Sequence, residues 1–266
     1  MHRNGRLIEP VQITLPDLPA ALEGLRVAHL SDLHATRWRR RHDRIVVELA
    51  AAEVDMLVLT GDYIERPGHE PAALAMLERL CQKVRPLHGI YGVFGNHDTA
   101  DLCRSLKSLP VAWLTNHTIQ LEQLPLQIQG LGFLDYGVPD TLAALPGNGA
   151  LSHAPRHVAR LVLCHDPGLL PAVADMGGEL MLSGHTHGGQ FRLPRRRALV
   201  NSCELPLHLS GGVLRHMNTL CVISRGVGEA NLPLRLFCPP HIPILTLRRG
   251  PLPGRHTHHI ENVRPW

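Results

Sequence analysis

Leu25-Arg26-Val27-Ala28-His29-Leu30-Ser31-Asp32-Leu33-His34 begins as an apolar run and ends in two metal-capable side chains. Read forward, the same grammar returns twice. Met56-Leu57-Val58-Leu59 runs into Thr60-Gly61-Asp62, and Tyr91-Gly92-Val93-Phe94 runs into Gly95-Asn96-His97-Asp98. Between these runs lie helical patterns: Ile45, Val46, Leu49 and Ala52 share one face, and Leu74, Leu77 and Leu80 share another between Pro71 and Val84. Short continuous apolar runs read as strands buried on both faces, and their alternation with helices predicts a layered α/β sheet. In such sheets sites collect beyond the carboxyl ends of the strands.

The pattern continues in the second half. Arg160-Leu161-Val162-Leu163 delivers Cys164-His165-Asp166-Pro167, and Glu179-Leu180-Met181-Leu182 delivers Ser183-Gly184-His185-Thr186-His187-Gly188-Gly189-Gln190. On an extended backbone His185 and His187 would point to the same side and Thr186 away, so the pair reads as half a metal site. The glycines around it let the backbone approach a ligand closely. Ile119–Leu121 and Leu126–Gln129 read as a hairpin, and Pro139–Leu145 as a short helix. Gln190–Leu193, Thr219–Ser224 and Ile242–Leu247 read as further strands. Residues 1–24 read as irregular apart from an edge strand at Val11–Leu15. Residues 248–266 read as a polar, loosely held tail, so a single domain over 1–247 is expected.

Composition narrows the partners. The 266 residues carry 27 Lys and Arg against 23 Asp and Glu, a mild basic excess that suits an anionic substrate without arguing for nucleic acid. The six cysteines form no CxxC pair and several sit in apolar runs, as reduced buried thiols do. No apolar run approaches the ~18 residues of a membrane span, and Met1–Thr14 has no apolar region of the secretory-signal type. A cytoplasmic protein is the expectation.

Five buried-strand patterns thus end in groups of one ligand class: Asp32 and His34, Asp62, Asn96 and His97, His165, and His185 with His187. The series Asp-x-His, Gly-Asp, Gly-Asn-His-Asp, His and Gly-His-x-His resembles the calcineurin-like metallophosphoesterases over about residues 25–247. The resemblance implies a four-layer α/β/β/α sandwich of two mixed sheets flanked by helices, holding two divalent metal ions. It implies that Asp32, His34 and His187 bind the first metal, that Asn96, His165 and His185 bind the second, and that Asp62 bridges them. Two divalent ions about 3.5–4 Å apart need a shared anion to offset their repulsion, which a two-oxygen carboxylate supplies. Water held by such metals loses its proton near neutral pH and attacks phosphorus without a Ser or Cys nucleophile.

The resemblance also implies that His97 protonates the leaving oxygen. A carboxylate beside it would hold the imidazole, and Glu65 and Asp98 are the candidates. The run Gly-His-Thr-His-Gly-Gly-Gln, with Ser224–Gly228 and Phe237–Pro240, resembles a bacterial branch that is often membrane-tethered. Some of its members cleave the pyrophosphate of a UDP-linked diacylated glucosamine. A phosphodiesterase or pyrophosphatase acting on a phosphate-containing small molecule or lipid is therefore expected, with Mn²⁺, Fe or Zn²⁺ fitting the ligand set equally.

Two basic clusters, Arg37-Trp38-Arg39-Arg40-Arg41 and Arg195-Arg196-Arg197, read as solvated faces. Peripheral contact with the inner face of a membrane is the functional reading beside that. His29, His88, His117 and His208 show no partners in sequence, and His256-Thr257-His258-His259 reads as part of the loose tail. The alternatives to an enzyme are a non-catalytic scaffold on the same fold and a mononuclear metal-binding protein. Retention of every ligand and of His97 favours the enzyme.

Overall fold

The computed structural model describes residues 7–132, 157–194 and 197–266. Strand β1 (Ile8–Leu15) is followed by β2 (Arg26–Leu30), helix α1 (Arg40–Ala50), β3 (Met56–Thr60) and helix α2 (Glu70–Lys83). Then come β4 (Ile90–Val93), helix α3 (Ala100–Leu106) and the short β5 (Ala112–Trp113). A hairpin of β6 (His117–Gln120) and β7 (Leu126–Leu131) leads to β8 (Ala159–Cys164), helix α4 (Leu170–Asp175) and β9 (Leu180–Ser183). The remaining strands are β10 (Arg192–Leu193), β11 (Arg197–Ala198), β12 (Gly212–His216), β13 (Thr219–Ile223), β14 (Ile242–Arg249) and β15 (Glu261–Arg264). The helix expected at Pro139–Leu145 lies outside the described residues, as do Arg195 and Arg196.

Two mixed sheets result, ordered β1-β14-β2-β3-β4-β5 and β15-β12-β13-β9-β8-β7-β6. In the first, β2 to β5 run parallel and β14 enters antiparallel to β2. In the second, β13, β9, β8 and β7 run parallel, with antiparallel β12 and β6 beside them. The period-2 alternation of the strands sorts their side chains into three apolar layers. Leu161 and Leu163 of β8 face Val27, Met56 and Val58 between the sheets. Val162 and Cys164 point the other way, onto Leu170 and Val173 of α4. Ala28, Leu30, Leu57 and Leu59 pack under Ile45 and Leu49 of α1 and Met76, Leu77 and Leu80 of α2. This is the α/β/β/α sandwich that the strand patterns and the resemblance imply. Among the described residues, no helix is long and apolar enough to cross a membrane.

From Leu7 onward, and again at the C-terminus, the chain is more regular than its composition suggests. The edge strand in the N-terminal segment starts at Ile8, three residues before Val11, and pairs in parallel with β14 along its whole length. The loosely held tail is overturned. Glu261, Asn262 and Arg264 pair with β12, and Trp266 is buried between the sheets, its Nε1 donating to the Ile223 carbonyl at 2.8 Å. Sequence polarity misleads here because a strand on a sheet edge needs one partner and one anchoring side chain, and Trp266 supplies the anchor. Truncation of Trp266 to Ala is expected to cost about 3–5 kcal/mol of unfolding free energy, read from urea denaturation. An unchanged midpoint would return these residues to the status of a loose appendage.

Candidate metal centre

The carboxyl ends of β2, β3, β8 and β9 meet on one rim and bring Asp32, His34, Asp62, His165, His185 and His187 together, with Asn96 on the loop that follows β4. Asp32, His34, Asp62 and His187 offer ligand atoms within 4.8 Å of one another, and so do Asp62, His165 and His185. Asp62 belongs to both groups. Its Oδ2 lies 3.4 Å from His34 Nε2 and 3.1 Å from His165 Nε2, while its Oδ1 accepts the His97 backbone N–H at 3.0 Å.

The local backbone is bent to achieve this. Asp32, His34, Asp62, His185 and His187 all have φ between 41° and 69°. Each such residue costs ~1–3 kcal/mol, a strain that persists only where the surroundings over-determine it and that gathers at functional sites. These bends correct the extended reading of the histidine pair. His185 and His187 do not share a side: His185 Nδ1 sits 3.2 Å from His165 Nε2, and His187 Nε2 sits 2.9 Å from His34 Nε2. One histidine therefore joins each group. Two glycines make the close approach possible. A Cβ on Gly95 would lie 2.3 Å from Asp62 Oδ1, and one on Gly184 would lie 2.3 Å from Asp32 Oδ2.

Hydrogen bonds behind the rings set their tautomers. His34 Nδ1–H donates to Glu65 Oε2 at 2.7 Å, His165 Nδ1–H to the Thr60 carbonyl at 2.6 Å, and His185 Nε2–H to the Ser202 carbonyl at 2.8 Å. With the outer nitrogen committed as donor, each neutral ring turns a lone pair inward. His187 departs from this arrangement, because its Nδ1 faces Arg235 Nη2 at 3.3 Å. Two more acceptors are buried without a hydrogen-bond partner, Asp32 Oδ2 and Asn96 Oδ1. Buried polar atoms are almost always paired, so the orphaned Asp32 oxygen among inward lone pairs marks a place built for a cation. The nitrogen and oxygen donor set fits a divalent transition metal.

The Glu65 carboxylate stands near His97, its ligand atom and those of His34 and His97 lying within 4.8 Å of one another, whereas Asp98 is engaged with backbone. Neither carboxylate hydrogen-bonds the His97 ring. The Glu65 carboxylate holds His34 and accepts the Asn231 N–H at 2.8 Å, whereas the Glu65 backbone carbonyl accepts His97 Nδ1–H at 2.7 Å. Asp98 accepts three backbone N–H groups, from Asp62, Tyr63 and Gly95 at 2.7–2.9 Å, and so clamps the loops after β3 and β4 together. Burial and the Asp62 charge push the Asp98 carboxyl up to about 7. The His97 ring stands edge-on to His34 with centroids 4.8 Å apart, and among the described residues no hydrogen bond reaches its Nε2.

Residues 25–189 match the Calcineurin-like phosphoesterase family. The chain belongs to that family. It is 28% identical over 243 residues to the uncharacterized metallophosphoesterase YkoQ of Bacillus subtilis, covering 88% of each chain. It is 28% identical over 239 residues to the phosphodiesterase YaeI of Escherichia coli, covering 84% of this chain and 82% of that one. Among solved structures, TT1561 of Thermus thermophilus superposes with a TM-score of 0.51 at 12% identity, over 76% of this chain and 90% of that one, which supports the fold. This metallophosphoesterase is accordingly a hydrolase with a divalent-metal centre.

Two further residues of its site, Arg235 and Gln190, were not singled out as site residues from the sequence. Arg235 reaches the carbonyls of Arg225 and Cys238 besides His187 Nδ1. Gln190 uses its side chain to bind Ala230 and Leu232, holding the loop 226–238 over the centre. Gln190 was visible only as the end of the glycine turn, and Arg235 lies in an otherwise apolar stretch.

Protons occupy this centre when metal does not. Burial opposes charge on His34 and His165, but Asp62, joined at His34 by Glu65, overcomes it. His34 is raised to about 10 and His165 to about 9. Below those values metal must displace protons from both rings, so affinity should rise with pH between about 6 and 9 and uptake should release protons. Titration calorimetry in buffers of different ionisation enthalpy reads this directly. A buffer-independent enthalpy with pH-independent affinity would contradict it. The same raised values stabilise the metal-free fold fully below the unfolded value of 6.5, a contribution lost as pH climbs through 9–10.

Proposed function

We propose that this metallophosphoesterase is a two-metal hydrolase of phosphodiester or pyrophosphate bonds in a small molecule or a lipid. The observation that carries the reading is the membership of Asp62 in both donor groups. Asp32, His34 and His187 would hold one ion, Asn96, His165 and His185 the other, and Asp62 both. Bound there, the ions would supply Lewis acidity toward a phosphoryl oxygen and lower the pKa of a water to about 7. Two divalent ions bring more charge than Asp32 and Asp62 remove, so the centre stays cationic and attracts phosphate. A diester substrate is favoured by the likeness to YaeI, named as a phosphodiesterase.

His97 protonates the leaving oxygen from Nε2. Its Nδ1–H is fixed on the Glu65 carbonyl, which orients the ring and leaves Nε2 for the substrate. Glu65 thereby ties a ligand to the acid: its carboxylate orients His34 and its carbonyl orients His97.

Asp62→Asn is expected to lose both ions and all turnover, measured by elemental analysis alongside hydrolysis of a bis-aryl phosphate. A variant that keeps two ions per chain removes Asp62 from the bridge. His97→Ala is expected to keep its metals yet slow turnover ~10²–10⁴-fold. The loss should shrink as the leaving phenol becomes more acidic, and an equal loss across a series of leaving groups would rule out proton donation.

A further inference from the structure

The rim of the metal centre is polar on its inner side and apolar on its outer side. The loop 226–238 is pinned inward by polar bonds from Gln190, Glu65, Arg41 and Arg235. Gln190 binds Ala230 and Leu232, Glu65 takes the Asn231 N–H, Arg41 makes a two-point pair with Glu229, and the loop's own Arg235 reaches His187 Nδ1. Its outward side chains have no such partners: Leu232 and Leu234 are each 59% exposed and Phe237 is 53% exposed, with Leu236 also exposed. The segment after the Gly188-Gly189 turn continues this surface. Phe191 bridges Leu236 and accepts the Leu199 N–H, and Leu193, Leu199 and Val200 are exposed as well.

Single exposed leucines need no explanation, but a run of them on two adjoining loops is a contiguous apolar patch of the kind that marks an interaction site. The loop holding them is anchored, so the patch is presented rather than free to fold away.

Its neighbours decide the occupant. Glu229 joins the loop to the Arg37–Arg41 segment, taking up Arg41 in the two-point pair and lying 4.0 Å from Arg39. Arg37 and Arg40 remain exposed, and Trp38 stands between them, 39% exposed with its Nε1 on Asp43. Apolar side chains flanked by exposed arginines and an amphipathic tryptophan match a layer that is apolar inside and anionic at its surface. We propose that this rim docks on the surface of an anionic phospholipid bilayer, Leu232, Leu234, Leu236 and Phe237 entering the acyl boundary and Arg37 and Arg40 meeting the phosphates. The mouth of the metal centre would then face the lipid headgroups. The proposal concerns the surface around the centre and stands apart from which phosphate bond is cut.

Cosedimentation of the metal-loaded protein with vesicles tests it. The protein is expected to pellet with vesicles of phosphatidylglycerol and phosphatidylcholine in equal parts, and poorly with phosphatidylcholine alone or at high salt. Leu234→Asp with Phe237→Asp should weaken vesicle binding by roughly tenfold for each side chain withdrawn. Arg37→Glu with Arg40→Glu should weaken it and abolish the preference for the anionic lipid. Turnover of a soluble aryl diester should be unchanged in both double variants, which reports that the fold and the centre are intact. Any of three results overturns the proposal: no retention on anionic vesicles, equal retention on neutral ones, or retention indifferent to the Leu234 and Phe237 changes. Equilibrium sedimentation supplies a further check. A dimer that Leu234→Asp with Phe237→Asp splits into monomers would assign the patch to a second copy of the chain instead.

Discussion

Acceptor atoms with nothing between them repel, and this chain aims a set of them at one point. The Asp32 and Asp62 carboxylates and the inward lone pairs of His34, His165 and His185 converge where β2, β3, β8 and β9 end, beside the ring of His187. In the metal-free state the conflict is relieved by protons, which is why His34 and His165 hold theirs far above the usual imidazole range while Asp62 stays ionised well below the carboxylate one. Burial opposes each of those charges, and only their mutual pairing keeps them. A divalent cation replaces the protons with a denser charge that every acceptor can share. Metal affinity and folding are therefore bound together in the same few side chains.

The scaffold explains how such a set can be assembled at all. Three apolar layers fix the two sheets face to face, so the strand ends cannot drift apart. Against that rigidity the loops take left-handed turns at five ligand positions, and Gly95 and Gly184 remove the atoms that would otherwise meet Asp62 and Asp32. Asp98 closes the arrangement by gathering three N–H groups from two loops onto one carboxylate. Its role is architectural, and its high pKa reflects the cost of setting a second buried carboxylate near Asp62.

Around the ligands a shell of longer-range partners connects the chemistry to the surface. Glu65 serves His34 with its side chain, His97 with its carbonyl, and the loop 226–238 through Asn231. That loop, held on its inner side by Gln190 and Arg235, carries an exposed apolar face. Glu65 alone therefore stands between this exposed loop and the His34 ring.

Much of this was legible in the residues alone. Five apolar runs ending in Asp, Asn or His announced the layered sheets and named every ligand candidate, because strand burial and strand-end chemistry are local properties of sequence. The helices over α1 and α2 followed from their apolar spacing. What sequence left open was pairing between distant segments. The left-handed turns that part His185 from His187 arise where Gly184 presses on Asp32. The acceptor of His97 Nδ1–H is a backbone carbonyl, which no side-chain pattern advertises. The Glu65 carboxylate stands near both His97 and His34 and hydrogen-bonds His34, since the choice between two nearby imidazoles rests on small differences in where the loops lie. The last six residues read as loose until β12 offered an edge and the two sheets offered Trp266 a cavity. Sequence determined which groups this protein can bring to a phosphate; the tertiary structure decided which nitrogen of each ring faces inward, because that depends on hydrogen bonds closed across as many as 105 residues of chain, as between His165 and Thr60.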